Sequence, residues 1–252
     1  MSVLVAIPVF NEAFHVRSVL ERVREFADQI LVIDDGSSDG TPGILCDLRQ
    51  PMGLDIIQHE TNQGYGTALI QAFKRAQRDG FDWVITMDCD DQHEPERLPE
   101  FFDAIYADNH DIISGSRYLD MDAPESTAPA DRRSINIKIT GEINDRLGLS
   151  LTDGFCGFKA HRVSAMNRLE LTETGYAFPM QLWVQAVAHG LRITEIPVEL
   201  IYNDLTRTFG GGLDDAVERL RHYRCVMHQT IDQHAQMLSA QAVEGLIADC
   251  LG

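Results

Sequence analysis

Short apolar runs alternate along this chain with longer segments in which apolar residues recur every three or four positions. The runs lie at residues 3–7, 30–33, 54–58, 83–86 and 111–114. Short runs of this kind are typical of strands buried on both faces, whereas the spacing in the longer segments is typical of amphipathic helices. The alternation predicts an α/β fold in which helices cover both faces of a mostly parallel sheet.

The second half of the chain continues this pattern. Residues 176–189 predict a helix, and residues 193–200 predict a strand that Pro197 places at a sheet edge, because proline cannot donate to the ladder. The last segment has apolar residues at helical spacing, namely Leu213, Ala216, Val217, Leu220, Tyr223 and Met227. This spacing predicts a helix that packs on the core or forms a homodimer contact.

Composition narrows the classes of protein that are expected. The 252 residues, 44% of them hydrophobic, suffice for one large domain. The formal charge of −18 argues against nucleic acid as a partner, since polyanions bind to basic surfaces. Five widely spaced cysteines without a CxxC pair predict reduced thiols in a cytosol. Without a signal-like segment or an apolar stretch of roughly 20 residues, a soluble, cytoplasmic protein with no transmembrane segment is expected.

An acidic segment at residues 87–95 directly follows the run at 83–86. Ligands of parallel α/β sheets bind beyond the carboxyl ends of the strands, so these acids lie where a ligand is expected. Asp88 and Asp90 are two positions apart, and on an extended segment their carboxylates point the same way and can share a divalent cation. The alternative is a turn that caps the next helix, which explains one acid but not the aligned pair.

Two other turns carry candidate ligand-binding residues. Asp35, at the end of the second run, is either a hydrogen-bonding partner of a base or ribose, or a turn cap. Gly64 lies in a glycine-containing turn that either allows a close backbone approach to an anionic ligand or is only a tight turn. The first turn holds Pro8 and no glycine, which argues against a dinucleotide-binding fold.

Positive charge in the first half is densest at Arg132 and Arg133, next to Ser134. In so acidic a chain this predicts a site for a specific anion, with solvated or ion-paired arginines as the alternative. Residues 151–160 mix glycine with aromatic residues and begin close to Asp153, a composition that predicts either a substrate-lining loop or a hairpin-like turn.

Four segments together resemble the family 2 glycosyltransferases with the GT-A fold. They are Ile7-Pro8-Val9-Phe10-Asn11-Glu12, the Asp34-Asp35-Gly36-Ser37-Ser38-Asp39-Gly40-Thr41 loop, Asn62-Gln63-Gly64-Tyr65-Gly66, and Met87-Asp88-Cys89-Asp90-Asp91-Gln92-His93. Within that family the chain is most similar to the polyprenyl- and dolichyl-phosphate mannosyl- or glucosyltransferases. That narrower resemblance depends on the Asp-x-Asp-x-Gln-His-x-Pro form, on Gly115-Ser116-Arg117-Tyr118, and on the 153–159 loop ahead of Glu195-Ile196-Pro197-Val198.

The resemblance implies a GT-A (Rossmann-like) catalytic domain at residues 1–202, with a mixed, mostly parallel sheet. Residues 203–252 are then a loop and a C-terminal helical extension packed on the same domain. The chain departs from the family after residue 202, because the usual Arg-x-x-Gly-x-Ser-Lys region is replaced and no membrane helices follow.

The resemblance also implies an inverting transfer of a sugar from a nucleotide-sugar donor of the GDP-mannose or UDP-glucose type. The residues expected to hold the donor are Pro8, Phe10, Glu12, Asp35, Gly64 and Asp88. A Mg²⁺ or Mn²⁺ ion is expected on Asp88 and Asp90, with Gln92 completing its ligands.

Two kinds of acceptor stay open. A polyprenyl phosphate at a cytoplasmic membrane surface needs no strong base, because its oxygen is already anionic; Arg117, Arg132, Arg133 and Ser134 are expected to position it. A soluble hydroxyl acceptor needs a general base, for which Asp153 is the candidate. The other hypotheses are a catalytically silent nucleotide-sugar-binding protein and a phosphatase of the haloacid dehalogenase type, although the latter has its Asp-x-Asp motif at the first strand.

Overall fold

The computed structural model describes residues 1–90, 93–119, 130–199, 201 and 210–251. Its seven-stranded sheet has the order β3-β2-β1-β4-β6-β5-β7. The strands are β1 (Val3–Val9), β2 (Ile30–Asp34), β3 (Asp55–Gln58), β4 (Trp83–Thr86), β5 (Ile112–Ser116), β6 (Lys159–Arg162) and β7 (Ile193–Pro197). β6 runs antiparallel to both of its neighbours, whereas the other pairings are parallel. The mixed, mostly parallel sheet is confirmed, and β7 lies at an edge as Pro197 predicted.

Nine α-helices are present among the described residues. They are α1 (Val16–Arg24), α2 (Thr41–Arg49), α3 (Tyr65–Asp79), α4 (Leu98–Tyr106), α5 (Ala130–Leu147), α6 (Val163–Met166), α7 (Phe178–Ala188), α8 (Ala216–Gln233) and α9 (Ala240–Val243). None of the helices within the described ranges is long and apolar enough to cross a membrane. The predicted boundary between residues 202 and 203 falls at residues 202–209, outside the described residues.

Two hydrophobic cores lie on opposite faces of the sheet because side chains alternate along each strand. On β1, Leu4 and Ala6 belong to the core covered by α3, α5, α7 and α8. Val5 and Ile7 point the other way, into the core beneath α1, α2 and α4. Most of the apolar stripe of α8 therefore packs on this hydrophobic core. The homodimer contact stays a prediction.

A disulfide joins Cys225 on α8 to Cys250 in the C-terminal turn. The prediction of reduced thiols is therefore wrong for these two residues, whereas Cys46, Cys89 and Cys156 are free. Spacing along the sequence could not reveal the pair, since the two Cα atoms lie 4.7 Å apart only after the C-terminal segment has folded back on α8.

We expect reduction of Cys225–Cys250 to lower the free energy of unfolding by about 3 kcal/mol, because the bond restricts the unfolded chain. Urea unfolding with and without a phosphine reductant measures this difference. Cys46→Ser, at an exposed free thiol, is the control and should leave the effect of the reductant intact. An unchanged midpoint on reduction of the wild-type protein would contradict the expectation.

Candidate active site

A cavity of about 710 Å³ opens at the carboxyl ends of the central strands β1, β2 and β4. Parallel strands deliver the residues that follow them to one edge of a sheet, so segments far apart in sequence converge there. Residues from these strand ends and from the start of α3 line the cavity, together with residues from α5, α7 and α8.

Asp88 is fixed at the floor of this cavity by its neighbours. Its backbone N–H donates to Nδ1 of the buried His93 at 3.0 Å, and the hydroxyl of Tyr65 donates to its Oδ1, also at 3.0 Å. Burial lowers the pKa of His93 to about 4, so the ring is neutral near pH 7 and its Nδ1 can accept. Gly157 packs so closely that a Cβ at that position would lie 2.3 Å from Oδ2 of Asp88. The carboxylate is therefore held in place before any ligand binds.

The donor set on this floor suits a hard divalent cation. Asp88 and Asp90 both line the cavity, and Mg²⁺ or Mn²⁺ is commonly held by one or two carboxylates while substrate phosphates and water complete its ligands. Gln92, the third predicted ligand, lies outside the described residues. Within those residues no cluster of three or more His, Cys, Asp or Glu side chains could hold a metal on its own. The two carboxylates fit such an ion if its remaining ligands come from outside the described residues.

Asp35 lies at the end of β2, where its side chain both caps a turn and lines the cavity. Its carboxylate accepts hydrogen bonds from the backbone amides of Gln63 and Gly64, at 2.8 and 2.9 Å, as a turn cap would. It is 4% exposed and also lines the cavity. Nδ1 of His59 lies 2.6 Å from its Oδ1, and Nε2 of the same ring lies 2.8 Å from Oε1 of Gln71.

The protonation of His59 should make the stability of the fold depend on pH. Burial lowers the pKa of this ring, but the hydrogen bonds to Asp35 and Gln71 outweigh it, and the net shift is upward. Such a group stabilises the fold fully below the unfolded pKa of about 6.5, and that contribution is lost as the pH rises through the raised folded value. We expect His59→Gln to reduce stability more at pH 6 than at pH 9.

Thermal unfolding of the wild type and the variant across this pH range measures the difference. His110→Gln, at a half-buried histidine outside the cavity lining, is the control and should lower stability less than His59→Gln does at pH 6. A stability difference that is equal at both pH values would rule out the charged ring.

Arg117 and Asp153 form a buried ion pair. The guanidinium donates to both carboxylate oxygens, at 2.6 and 2.9 Å, and Asn136 donates to Oδ1 at 2.8 Å. Burial alone would raise the pKa of Asp153, but Arg117 and Asn136 hold it well below its usual range. Asp153 is fully buried and is not among the described residues that line the cavity. Arg117 does line the cavity. This geometry does not favour Asp153 as a general base.

The remaining predicted site residues divide into two groups. Pro8, Phe10, Glu12, Gly64 and Arg132 line the same cavity as Asp88. Arg133 and Ser134 are not among the described lining residues; the guanidinium carbon of Arg133 lies 3.6 Å from the ring centre of Tyr118, which is a cation–π contact.

Sequence reasoning gave no site role to several residues that line the cavity, and four of them have large side chains. Tyr65 and Tyr176 stack there with ring centroids 5.8 Å apart, and α8 contributes Arg219 and Tyr223. The helical spacing predicted Tyr223 only as a core or dimer contact. For Arg219 no local signal existed, because its place at the cavity depends on how α8 docks against α5 and α7.

The sequence of this chain is similar to one protein family and to several named enzymes. The profile described as Glycosyl transferase family 2 matches residues 4–169. The undecaprenyl-phosphate mannosyltransferase of Micrococcus luteus is 31% identical over 228 residues, covering 86% of this chain and 91% of that protein. The polyprenol monophosphomannose synthase of Mycolicibacterium smegmatis is 29% identical, with 87% and 86% covered. The dolichyl-phosphate hexose transferase of Haloferax volcanii is 32% identical, with 77% and 80% covered.

Solved structures share the fold. Glucosyl-3-phosphoglycerate synthase from Mycobacterium tuberculosis superposes with a TM-score of 0.68 at 16% identity, covering 95% of this chain and 82% of that one. A complex of that enzyme with Mn²⁺, UDP-glucose and phosphoglyceric acid gives a TM-score of 0.67 at 15% identity, with 92% and 80% covered. At this level of identity the likeness shows the arrangement of strands and helices.

Proposed function

The chain belongs to glycosyl transferase family 2, and from this premise we propose that it transfers a sugar, with inversion, from a nucleotide-sugar donor to the phosphate of a polyprenyl phosphate. It is a glycosyltransferase with the GT-A fold. The names of the M. luteus and M. smegmatis relatives favour mannose as the sugar, which makes GDP-mannose the first donor to test.

The observation that carries the proposal is that acids and cations line one cavity. Asp88 and Asp90 belong to its floor, and Arg117 and Arg132 line the same space. A diphosphate leaving group needs its charge neutralised, whereas an anionic acceptor needs cations. One cavity of about 710 Å³ that offers both is large enough to hold the donor and the acceptor headgroup side by side.

Each group of residues then has a defined task. We assign Pro8, Phe10, Glu12 and Asp35 to the nucleotide, and Asp88 and Asp90 to Mg²⁺ or Mn²⁺ at its diphosphate. When bound, such an ion acts as a Lewis acid that neutralises the charge on the departing nucleoside diphosphate. Tyr65 and His93 hold Asp88 in position through hydrogen bonds.

The acceptor assignment follows from the state of Asp153. A carboxylate that is fully buried and bonded to Arg117 has no access to an acceptor hydroxyl. We therefore propose that Asp153 positions Arg117, and that Arg117 and Arg132 orient the acceptor phosphate. A phosphate oxygen attacks the anomeric carbon without first giving up a proton to the protein.

The direct test is sugar transfer by the purified protein. With Mn²⁺ present, GDP-mannose and UDP-glucose are each incubated with a ten-carbon prenyl phosphate or with a soluble sugar alcohol. We expect transfer to the prenyl phosphate, and its loss on chelation of the metal. Transfer only to the hydroxyl acceptor would overturn the lipid-phosphate assignment. Binding of the donor without transfer to either acceptor would favour a silent nucleotide-sugar-binding protein.

A further inference from the structure

Helix α8 supplies cavity residues from a part of the chain that lies beyond the matched family region, residues 4–169. Arg219 and Tyr223 are four positions apart, so one face of the helix carries both side chains, and both line the cavity. The first turn of α8 is fixed by the side chain of Asp215, which accepts hydrogen bonds from the amides of Val217 and Glu218.

Arg219 is a buried cation in the wall of this cavity. It is only 3% exposed, and its guanidinium donates to the carbonyl of Leu213 and to the carboxylate of Asp131, each at 2.7 Å. These bonds fix the orientation of the planar group. Arg132, which lines the same cavity, follows directly after Asp131 on α5. Arg132 and Arg219 both act electrostatically on Tyr223, so both guanidinium groups lie near that ring. Guanidinium groups bind phosphate oxygens through paired, charge-assisted hydrogen bonds.

The surface beside these cations is apolar. Ile135, Phe155, Pro179 and Tyr223 line it, and the rings of Phe155 and Tyr223 lie 4.9 Å apart. Burial raises the pKa of Tyr223 to about 12, so its phenol is uncharged at neutral pH. A small polar acid would leave this surface without contacts, whereas a phosphate attached to a hydrocarbon chain would bury it.

We propose that α8 forms the acceptor subsite together with α5: Arg219 binds the acceptor phosphate beside Arg132, and Tyr223 packs with Phe155 against the first carbons of an apolar chain. This inference rests on the proposed function and extends it, because it makes the C-terminal helix a determinant of acceptor specificity.

The test separates acceptor binding from sugar transfer. Calorimetric titration with a ten-carbon prenyl phosphate, in the presence of GDP and Mn²⁺, is carried out on wild type, Arg219→Met and Tyr223→Ala. We expect both variants to bind the prenyl phosphate at least tenfold more weakly, while GDP binding changes less than twofold. Arg221→Met is the matched control, since Arg221 is an exposed arginine on the same helix, and it should bind like the wild type.

Two further variants keep the test valid if Arg219→Met disturbs the packing of α8. Tyr223→Phe keeps the ring and should bind the prenyl phosphate like the wild type, and Arg219→Lys keeps the charge and should recover part of the lost affinity. Equal losses of GDP and prenyl phosphate affinity in Arg219→Met and Tyr223→Ala would overturn the subsite, because they would indicate general damage.

Titrations with 3-phosphoglycerate and with inorganic phosphate show whether the subsite prefers a lipid phosphate to a small, polar one. We expect both to bind at least tenfold more weakly than the prenyl phosphate; equal affinities would overturn the apolar half of the subsite. Prenyl phosphate binding that depends on Arg219, without sugar transfer from any donor, would overturn the proposed function and leave the subsite standing. If Arg219→Met and Tyr223→Ala transferred sugar to the prenyl phosphate as well as the wild type does, the subsite would be overturned and the proposed function would stand.

Discussion

Asp88→Asn is expected to reduce sugar transfer by about a thousandfold, on the order of 4 kcal/mol in the activation barrier. The substitution keeps the size of the side chain and its hydrogen bond with Tyr65, but it removes the negative charge that we assign to the cation. The measurements are kcat for transfer and the affinity for Mn²⁺ in the presence of GDP. Both should fall, while the melting temperature changes little.

Asp103→Asn is the matched control, because Asp103 is an exposed acid on α4 outside the cavity and its substitution should leave transfer intact. Asp90→Ala should resemble Asp88→Asn. If Asp88→Asn retained metal-dependent transfer at the wild-type rate, Asp88 would have to be removed from the proposed mechanism.

Asp153→Asn is expected to lower the free energy of unfolding by about 3 kcal/mol, because it leaves the guanidinium of Arg117 buried without its counter-charge. For a chain of this size the melting temperature should fall by about 6 to 12 °C. The effect should be constant above pH 5. A carboxyl whose folded pKa is depressed stabilises the fold above its unfolded value of about 3.9, and that contribution is lost only as the pH falls through the folded value.

Activity distinguishes this role from base catalysis. The positioning role predicts that the double variant Arg117→Met with Asp153→Leu recovers stability, since the buried charges are removed together, but still binds the prenyl phosphate poorly. A general base predicts a different result: Asp153→Asn would keep the wild-type melting temperature and lose only kcat. That outcome would restore Asp153 as the base for a hydroxyl acceptor.

The sequence predicted the parallel part of the sheet because the signal there is local. The strands β1, β2, β3 and β4 appear in the structure at the apolar runs, with ends shifted by no more than two residues. Strand β6 was not predicted, because its sequence, Lys159-Ala160-His161-Arg162, has no apolar run. The side chains of Lys159 and His161 are buried only because neighbouring strands and helices cover them.

The same distinction applies to the candidate site. Pro8, Asp35, Gly64 and Asp88 could be placed near one another from sequence, because each lies at or near the end of a strand or the start of a helix at one edge of the sheet. The ion pair of Arg117 with Asp153 spans 36 residues and follows from the docking of two loops. The contribution of α8 depends in the same way on contacts that no local pattern encodes.

The reversed direction of β6 has a consequence for which changes in length the chain can tolerate. Thr86 is paired with Lys159 in the ladder, and its hydroxyl donates to the carbonyl of Gly157 at 2.9 Å. The spacing between Gly157 and the carboxylate of Asp88 is thus set by strand register. Inserting one residue between Gly157 and Lys159 would shift Gly157 relative to Asp88, because the strand register fixes their spacing. An insertion in the exposed turn at Asn167 and Arg168, beyond the other end of β6, would leave that spacing unchanged. Natural and engineered length variation should therefore accumulate at one end of β6 and be absent from the other.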